Sequence, residues 1–182
     1  MAQSPILVII AGPPCSGKSS LATSCATAIG ATRFEMDEIR ARILPGSQHS
    51  QADRDQAYHV MHGMAEAELK AGRSVLIDAT YTRVKQRCAV VDLAELHSVP
   101  IHLVECRADP DEAAARFSGR GPEHAAIDLT ESGVRQQARD YRFSALGLSL
   151  DTTGRKRSDL VADVVGHVSA GQPLDRPRDW AS

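Results

Sequence analysis

At 182 residues, with 42 % hydrophobic and only 4 % aromatic side chains, the chain has the length of one domain with a sizeable core and the composition of aliphatic α/β packing. A formal net charge of −2 argues against a strongly basic nucleic-acid surface, although 17 arginines among 21 basic residues leave room for local anion-binding clusters. Nothing approaches the length of a membrane span, the N-terminus lacks a secretory pattern, and Cys15, Cys25, Cys88 and Cys106 are scattered without any Cys-x-x-Cys pair. A cytoplasmic protein with reduced thiols is expected, with neither a zinc site nor a disulfide framework.

Ile6 to Ala11 is a continuous apolar run, as a strand buried on both faces requires. It leads into Gly12-Pro13-Pro14-Cys15-Ser16-Gly17-Lys18-Ser19-Ser20, which fits the phosphate-loop pattern of Gly, any four residues, Gly-Lys-[Ser/Thr]. Two glycines let such a loop curl into a nest of N–H donors, Lys18 adds a point charge, and Ser19 offers a hydroxyl to Mg²⁺. Leu21 to Ile29 continues as a helix that Gly30 ends, with its positive end aimed at the same anion. Cys15 reads as a small loop residue, a thiol activated by the local positive field being the alternative.

Thr32 to Met36 is expected as a second strand carrying Asp37 to its carboxyl end, followed by a helical Glu38 to Leu44 that Pro45-Gly46 stops. A long helix from Ala52 to Ala71 follows, with Tyr58, Met61, Met64 or Ala65 and Leu69 on one side. Ser74 to Ile77 reads as the third strand, ending at Asp78-Ala79-Thr80. A helix from Val84 to His97, with Val90, Leu93 and Leu96 on its apolar side, leads to a fourth strand, Pro100 to Cys106. Asp109-Pro110 opens the next helix in the manner of a capping Asp with Pro in the first turn. A lid of about 116–130 is expected after it, then a helix from Thr130 to Tyr141, a fifth strand from Leu146 to Leu150 and a closing helix from Ser158 to Ser169. Residues 1–170 form the expected domain and 171–182 an irregular C-terminal tail. Strands alternating with helices predict a three-layer α/β fold of the phosphate-loop NTPase type, with a five-stranded parallel sheet and helices on both faces.

Ligands of open α/β sheets bind at the carboxyl ends of the strands, which singles out the acids there. Asp37 and Arg40 are three apart and share a helical face; the first can take a proton from a hydroxyl or help hold Mg²⁺, and the second can grip an anionic acceptor. Read without the phosphate loop, the pair is a helix-opening Asp with a surface ion pair. Asp78, ending a buried strand, is a candidate for the metal beside Ser19. Thr80, Arg83 and Arg87 face the expected acceptor side, a solvated helix face being the other reading of the two arginines. Arg116 and Arg120 are four apart at the lid and can stabilise charge on a moving phosphoryl group, or simply pair on a surface. His59 and His62 lack a third ligand at useful spacing. Val134 to Arg142 is basic on one side and reads as a nucleic-acid surface or a solvated helix over the sheet edge. The chain contains no Asn, hence no Asn-Lys-x-Asp guanine-reading motif, and ATP is the expected nucleotide.

Met36-Asp37-Glu38-Ile39-Arg40, Val75 to Thr80, Arg107-Ala108-Asp109-Pro110 leading to Arg116 and Arg120, and Leu150-Asp151-Thr152-Thr153-Gly154, taken together with the phosphate loop, resemble the small bacterial P-loop kinases of the AAA_33 group. These are related to zeta toxins, gluconate kinases and the kinase domain of polynucleotide kinase. The resemblance spans about Ile6 to Val168. It implies ATP and Mg²⁺ as cofactors, Lys18, Asp37, Arg116 and Arg120 as catalytic residues, and Arg40 as the holder of the acceptor. Thr153 and Gly154 would border the adenine. The segment from Gly121 to Arg142 is longer and more basic than in a minimal member. A small-molecule hydroxyl is the expected acceptor, a polynucleotide 5′-hydroxyl the runner-up, and a nucleotide-switched binding module the reading from another class.

Overall fold

The computed structural model describes residues 4–46, 50–119 and 129–182. Leu7–Ala11 (β1), Thr32–Glu35 (β2), Val75–Asp78 (β3), Ile101–Arg107 (β4) and Leu148–Asp151 (β5) form one parallel sheet in the order β2-β3-β1-β4-β5. β1 sits at its centre, which is why all five of its residues are buried and its sequence is apolar without alternation. Leu7, Ile9 and Ala11 face one core and Val8 and Ile10 the other, as the two-residue period of a strand dictates.

The first core is covered by the helices Met36–Ile43 (α2), Gln51–Lys70 (α3) and Val84–Leu96 (α4). The second is covered by Lys18–Ile29 (α1) and Arg157–Ser169 (α7). α3 buries Tyr58, Met61, Ala65 and Leu69, the stripe expected from its spacing, and Ser50 opens it through a reciprocal capping box with Asp53. α4 differs from expectation in one position. Its buried face is Val90, Val91, Leu93 and Ala94, and Leu96 in its last turn is 71 % exposed, beyond the reach of the sheet.

Pro110–Ser118 (α5) is capped by the Asp109 carboxylate, which accepts from the N–H groups of Asp111 and Glu112. Glu131–Asp140 (α6) packs on α5, where Val134 and Ala113 enclose Cys15 of the loop after β1. The helix therefore covers the phosphate loop and not the sheet edge. Arg120 and most of the expected lid, residues 120–128, lie outside the described residues.

Two corrections concern boundaries. β2 ends at Glu35 and α2 starts at Met36, both earlier than expected, which keeps Asp37 in the first turn of the helix it shares with Arg40. Residues 171–182 are not an irregular tail: Leu174 donates its N–H to the Ile101 carbonyl at 2.7 Å, and Pro177–Ala181 (α8) docks on α4 with Trp180 only 3 % exposed. A single tryptophan among charged residues carries no periodicity, so the docking left no pattern to read.

Candidate functional site

The site lies at the carboxyl ends of β1, β2 and β3, where the chain passes on toward α1, α2 and α4. The turn after β1 needs Gly12: its φ is +146°, and a Cβ there would stand 2.2 Å from the Cys106 carbonyl oxygen on β4. Gly17 is the left-handed N-cap of α1. It has no side chain to cap the helix and the first turn carries no acid, so the leading N–H groups stay available for an anion. Pro13 accepts the Lys18 ammonium on its carbonyl at 2.8 Å, folding the lysine back across the loop. Pro14 and Cys15 complete the turn, Cys15 itself with φ +60°. The buried Ser16 hydroxyl finds no partner among the described residues. Ser20, in the first turn of α1, is exposed.

The acids gather beside this loop. Parallel pairing sets Glu35 opposite Asp78, and Asp78 opposite Ile10, so the ends of three strands are level. The Ser19 hydroxyl donates to Glu35 Oε1 at 3.2 Å. Asp78 is 2 % exposed and its Oδ2 has no partner among the described residues. Burial pushes the Asp78 carboxyl up to about 6; Lys18 opposes the rise, Glu35 adds to it and the Ser19 hydroxyl opposes it. A buried carboxylate oxygen left bare beside a second carboxylate and a serine hydroxyl is a donor set suited to a hard divalent cation. Among the described residues no three His, Cys, Asp or Glu side chains cluster as a metal cage, so the remaining ligands would be waters and phosphate oxygens, as Mg²⁺ prefers. Ser19 and Asp78 were singled out from the sequence; Glu35 was not. The spacing Glu35-x-Asp37 at a strand end was the available signal, and it was masked because the strand was expected to run one residue further.

On the other side of the acids lies a second constellation. Asp37 is exposed, and its Oδ1 meets the buried Arg40 guanidinium at 3.1 Å. Tyr58 from α3 stands close to both acids: burial pushes its hydroxyl up to about 12, with the charges of Asp37 and Asp78 adding to the rise. Its oxygen lies 3.4 Å from Thr80 Oγ1 and accepts the Tyr81 N–H at 3.0 Å. The Thr80 carbonyl accepts the Tyr141 hydroxyl at 2.7 Å, so the chain returning from α6 is tied to this loop. Asp37 pairs with Arg40, Tyr58 pairs with Thr80, and the charges of Asp37 and Asp78 are both felt at the Tyr58 hydroxyl. Arg83 is the exposed N-cap of α4. Arg87 turns away: it donates to the carbonyls of Trp180, Ser182 and Tyr81 and anchors the C-terminal helix.

Arg116, expected at the lid, reaches the phosphate loop. Its guanidinium donates to the Cys15 carbonyl, to the Thr152 hydroxyl at 2.9 Å and carbonyl at 2.8 Å, and to Glu112. In this arrangement it ties the phosphate loop to the loop after β5. Thr152 completes the tie by donating to the Ser16 carbonyl. Thr153 accepts from the Asp109 N–H at 2.9 Å and Gly154 donates to Glu112, so the two residues expected beside a base are held against the start of α5. His62 bonds the Tyr81 hydroxyl at 3.0 Å and belongs to the packing under the Thr80 loop.

Comparison with solved structures bears on the fold. A chain from Chloroflexus aurantiacus, described as a candidate kinase, superposes with a TM-score of 0.74 at 22 % identity, covering 91 % of this chain and 99 % of that one. The adenylylsulfate (APS) kinase CysC of Mycobacterium tuberculosis, in complex with AMPPNP and APS, gives 0.69 at 18 % identity, covering 91 % and 98 %. At these identities the likeness establishes a kinase-like P-loop NTPase fold. An uncharacterized protein of Mycobacterium tuberculosis, Rv2004c, is 29 % identical over 168 residues, 84 % of this chain; the chain spans 33 % of that protein's length. The model of the AAA_33 family, described as an AAA domain, matches residues 7–143, from β1 to just past α6, and the chain belongs to that family.

Proposed function

We propose that the chain is an ATP-dependent phosphotransferase that moves the γ-phosphate of MgATP to a hydroxyl of a small-molecule acceptor. The observation that carries this reading is Glu35 level with Asp78 and bonded to Ser19 of the phosphate loop, with the Asp37–Arg40 pair in the helix that begins right after Glu35. Residues Gly12 to Ser20 bind the phosphates through backbone N–H groups, and Lys18 exchanges the Pro13 carbonyl for a phosphate oxygen. Ser19, Glu35 and Asp78 hold Mg²⁺, which when bound neutralises charge on the phosphates. Asp37, exposed at the cleft, orients the acceptor hydroxyl and takes its proton, while Arg40 grips the rest of the acceptor. Arg116 and Thr152 hold the phosphate loop in shape, and Thr153 and Gly154 border the base.

A small acceptor is favoured over a polynucleotide because the most central arginine of the basic helix is already neutralised: Arg135 pairs with Asp111 at 2.6 Å and Glu131 at 3.0 Å. Screening sugars, nucleosides and hydroxyl-bearing antibiotics for stimulated ADP release tests the reading, with a 5′-hydroxyl oligonucleotide and labelled γ-phosphate as the competing arm. Asp37→Ala is expected to lower acceptor-dependent turnover by roughly 10²–10⁴-fold with little change in nucleotide affinity. ATP turnover that needs no acceptor and is indifferent to Asp37→Ala would overturn it in favour of a nucleotide-switched module.

A further inference from the structure

The assignment of Ser19, Glu35 and Asp78 to a divalent cation leaves one charged neighbour unexplained. β2 alternates, so Phe34 enters the core while Arg33 and Glu35 share the opposite side. Arg33 donates to Glu35 Oε2 at 2.5 Å and to Glu38 Oε1 at 2.5 Å, joining the end of β2 to the first turn of α2. Each Glu35 oxygen therefore has its own partner, Oε1 the Ser19 hydroxyl and Oε2 Arg33. The Arg33 and Glu35 side chains are only 20 % and 16 % exposed, so water screens their charges poorly. Next to them, in register, stands the buried Asp78 with a bare Oδ2.

Resting on the reading above, we propose that Arg33 is a positioning residue that tunes the cation site: it holds Glu35 against Ser19 and keeps the site from filling with a divalent ion before the nucleotide arrives. Two carboxylates at neighbouring strand ends, about 5 Å apart between strands, would attract such an ion on their own. Arg33 supplies a fixed positive charge on the far oxygen of one of them. An incoming ion must overcome that charge, and the phosphates of a bound nucleotide provide the additional negative charge that lets it do so. Ordered entry follows: the ion comes with the nucleotide. Through Glu38 the same guanidinium pins the turn that presents Asp37 and Arg40, so the cation shell and the acceptor wall share one tether.

The test is a titration of Mn²⁺, read by electron paramagnetic resonance, into the nucleotide-free chain and into the chain saturated with ADP. Arg33→Met is expected to tighten Mn²⁺ binding to the nucleotide-free chain about tenfold, and Arg33→Lys, which restores the charge, to return it toward wild type. Glu35→Gln is expected to weaken Mn²⁺ binding in the ADP complex about tenfold. Equal or weaker Mn²⁺ binding by Arg33→Met, with metal-free ADP affinity and melting temperature unchanged, would show a plain strand-edge ion pair and overturn the inference. So would a Glu35→Gln chain that binds Mn²⁺ as wild type does. A wild-type chain that binds no ADP at all would instead overturn the phosphotransferase reading, which keeps the two failures apart.

Discussion

At Gly12 geometry and function meet in one atom. The 2.2 Å that would separate an added Cβ from the Cys106 carbonyl leaves no room for any side chain, and φ of +146° is open only to glycine. Gly12→Ala is expected to cost about 2–4 kcal/mol of stability, read from urea denaturation, because the clashing atom is backbone of the central sheet and cannot swing aside. Lys18→Ala should leave that stability nearly intact and remove nucleotide binding. The two variants separate the loop's shape from its charge.

At the scale of elements, the β3–α4 connection is held from both sides. Tyr58 and His62 of α3 support Tyr81, whose backbone has φ +50°, and Trp180 of α8 packs edge-on against the Tyr81 ring with centroids 5.4 Å apart. Arg87 then binds carbonyls of both Tyr81 and Trp180. The last helix therefore acts as a buttress for the loop that carries Thr80. Trp180→Ala is expected to lose about 3–5 kcal/mol, measured by circular dichroism in urea, since the side chain is buried and nothing else fills its place. A loss below about 1 kcal/mol would mean that α8 is only loosely attached.

For the whole molecule, acid sensitivity follows from buried imidazoles. Burial holds His62 down at about 4, and it lowers His102 and His167 as well. His102 and His167 meet edge to face at 5.9 Å, each with a ring nitrogen that has no partner among the described residues. In the unfolded chain these groups titrate near 6.5. Between that value and about 4 the unfolded state therefore binds more protons, and stability falls as pH falls, with His62 accounting for up to about 3 kcal/mol. Asp78 works the other way: raised to about 6 by burial, it takes up a proton more readily in the folded chain and offsets part of the loss. Melting temperatures of wild type and His62→Gln between pH 7.5 and 4.5 check this. The variant should show the shallower decline, and parallel curves would rule His62 out as a source.

How much of this was legible beforehand follows from range. The apolar run Ile6 to Ala11, the loop Gly12 to Ser20 and the stripe of α3 are local patterns, and short-range geometry decides them, so the parallel sheet, the family and the phosphate loop could be read from residue order. The positions of Asp37 and Asp78 follow for the same reason, each standing where a strand passes into a helix or loop, and Arg40 stands one helical turn after Asp37. Glu35 has a faint local signal, its spacing from Asp37, but its place beside Ser19 and level with Asp78 follows from strand pairing between segments distant in the chain. The partners of Arg87 and Arg116 were decided by tertiary packing alone: a long guanidinium binds whichever carbonyl the fold brings near, 93 residues away for Trp180 and 101 for Cys15. Local order determined the strand, loop and helix pattern that carries the phosphate loop; the packing of distant segments decided which acids stand level at the strand ends and which carbonyls the long arginines find.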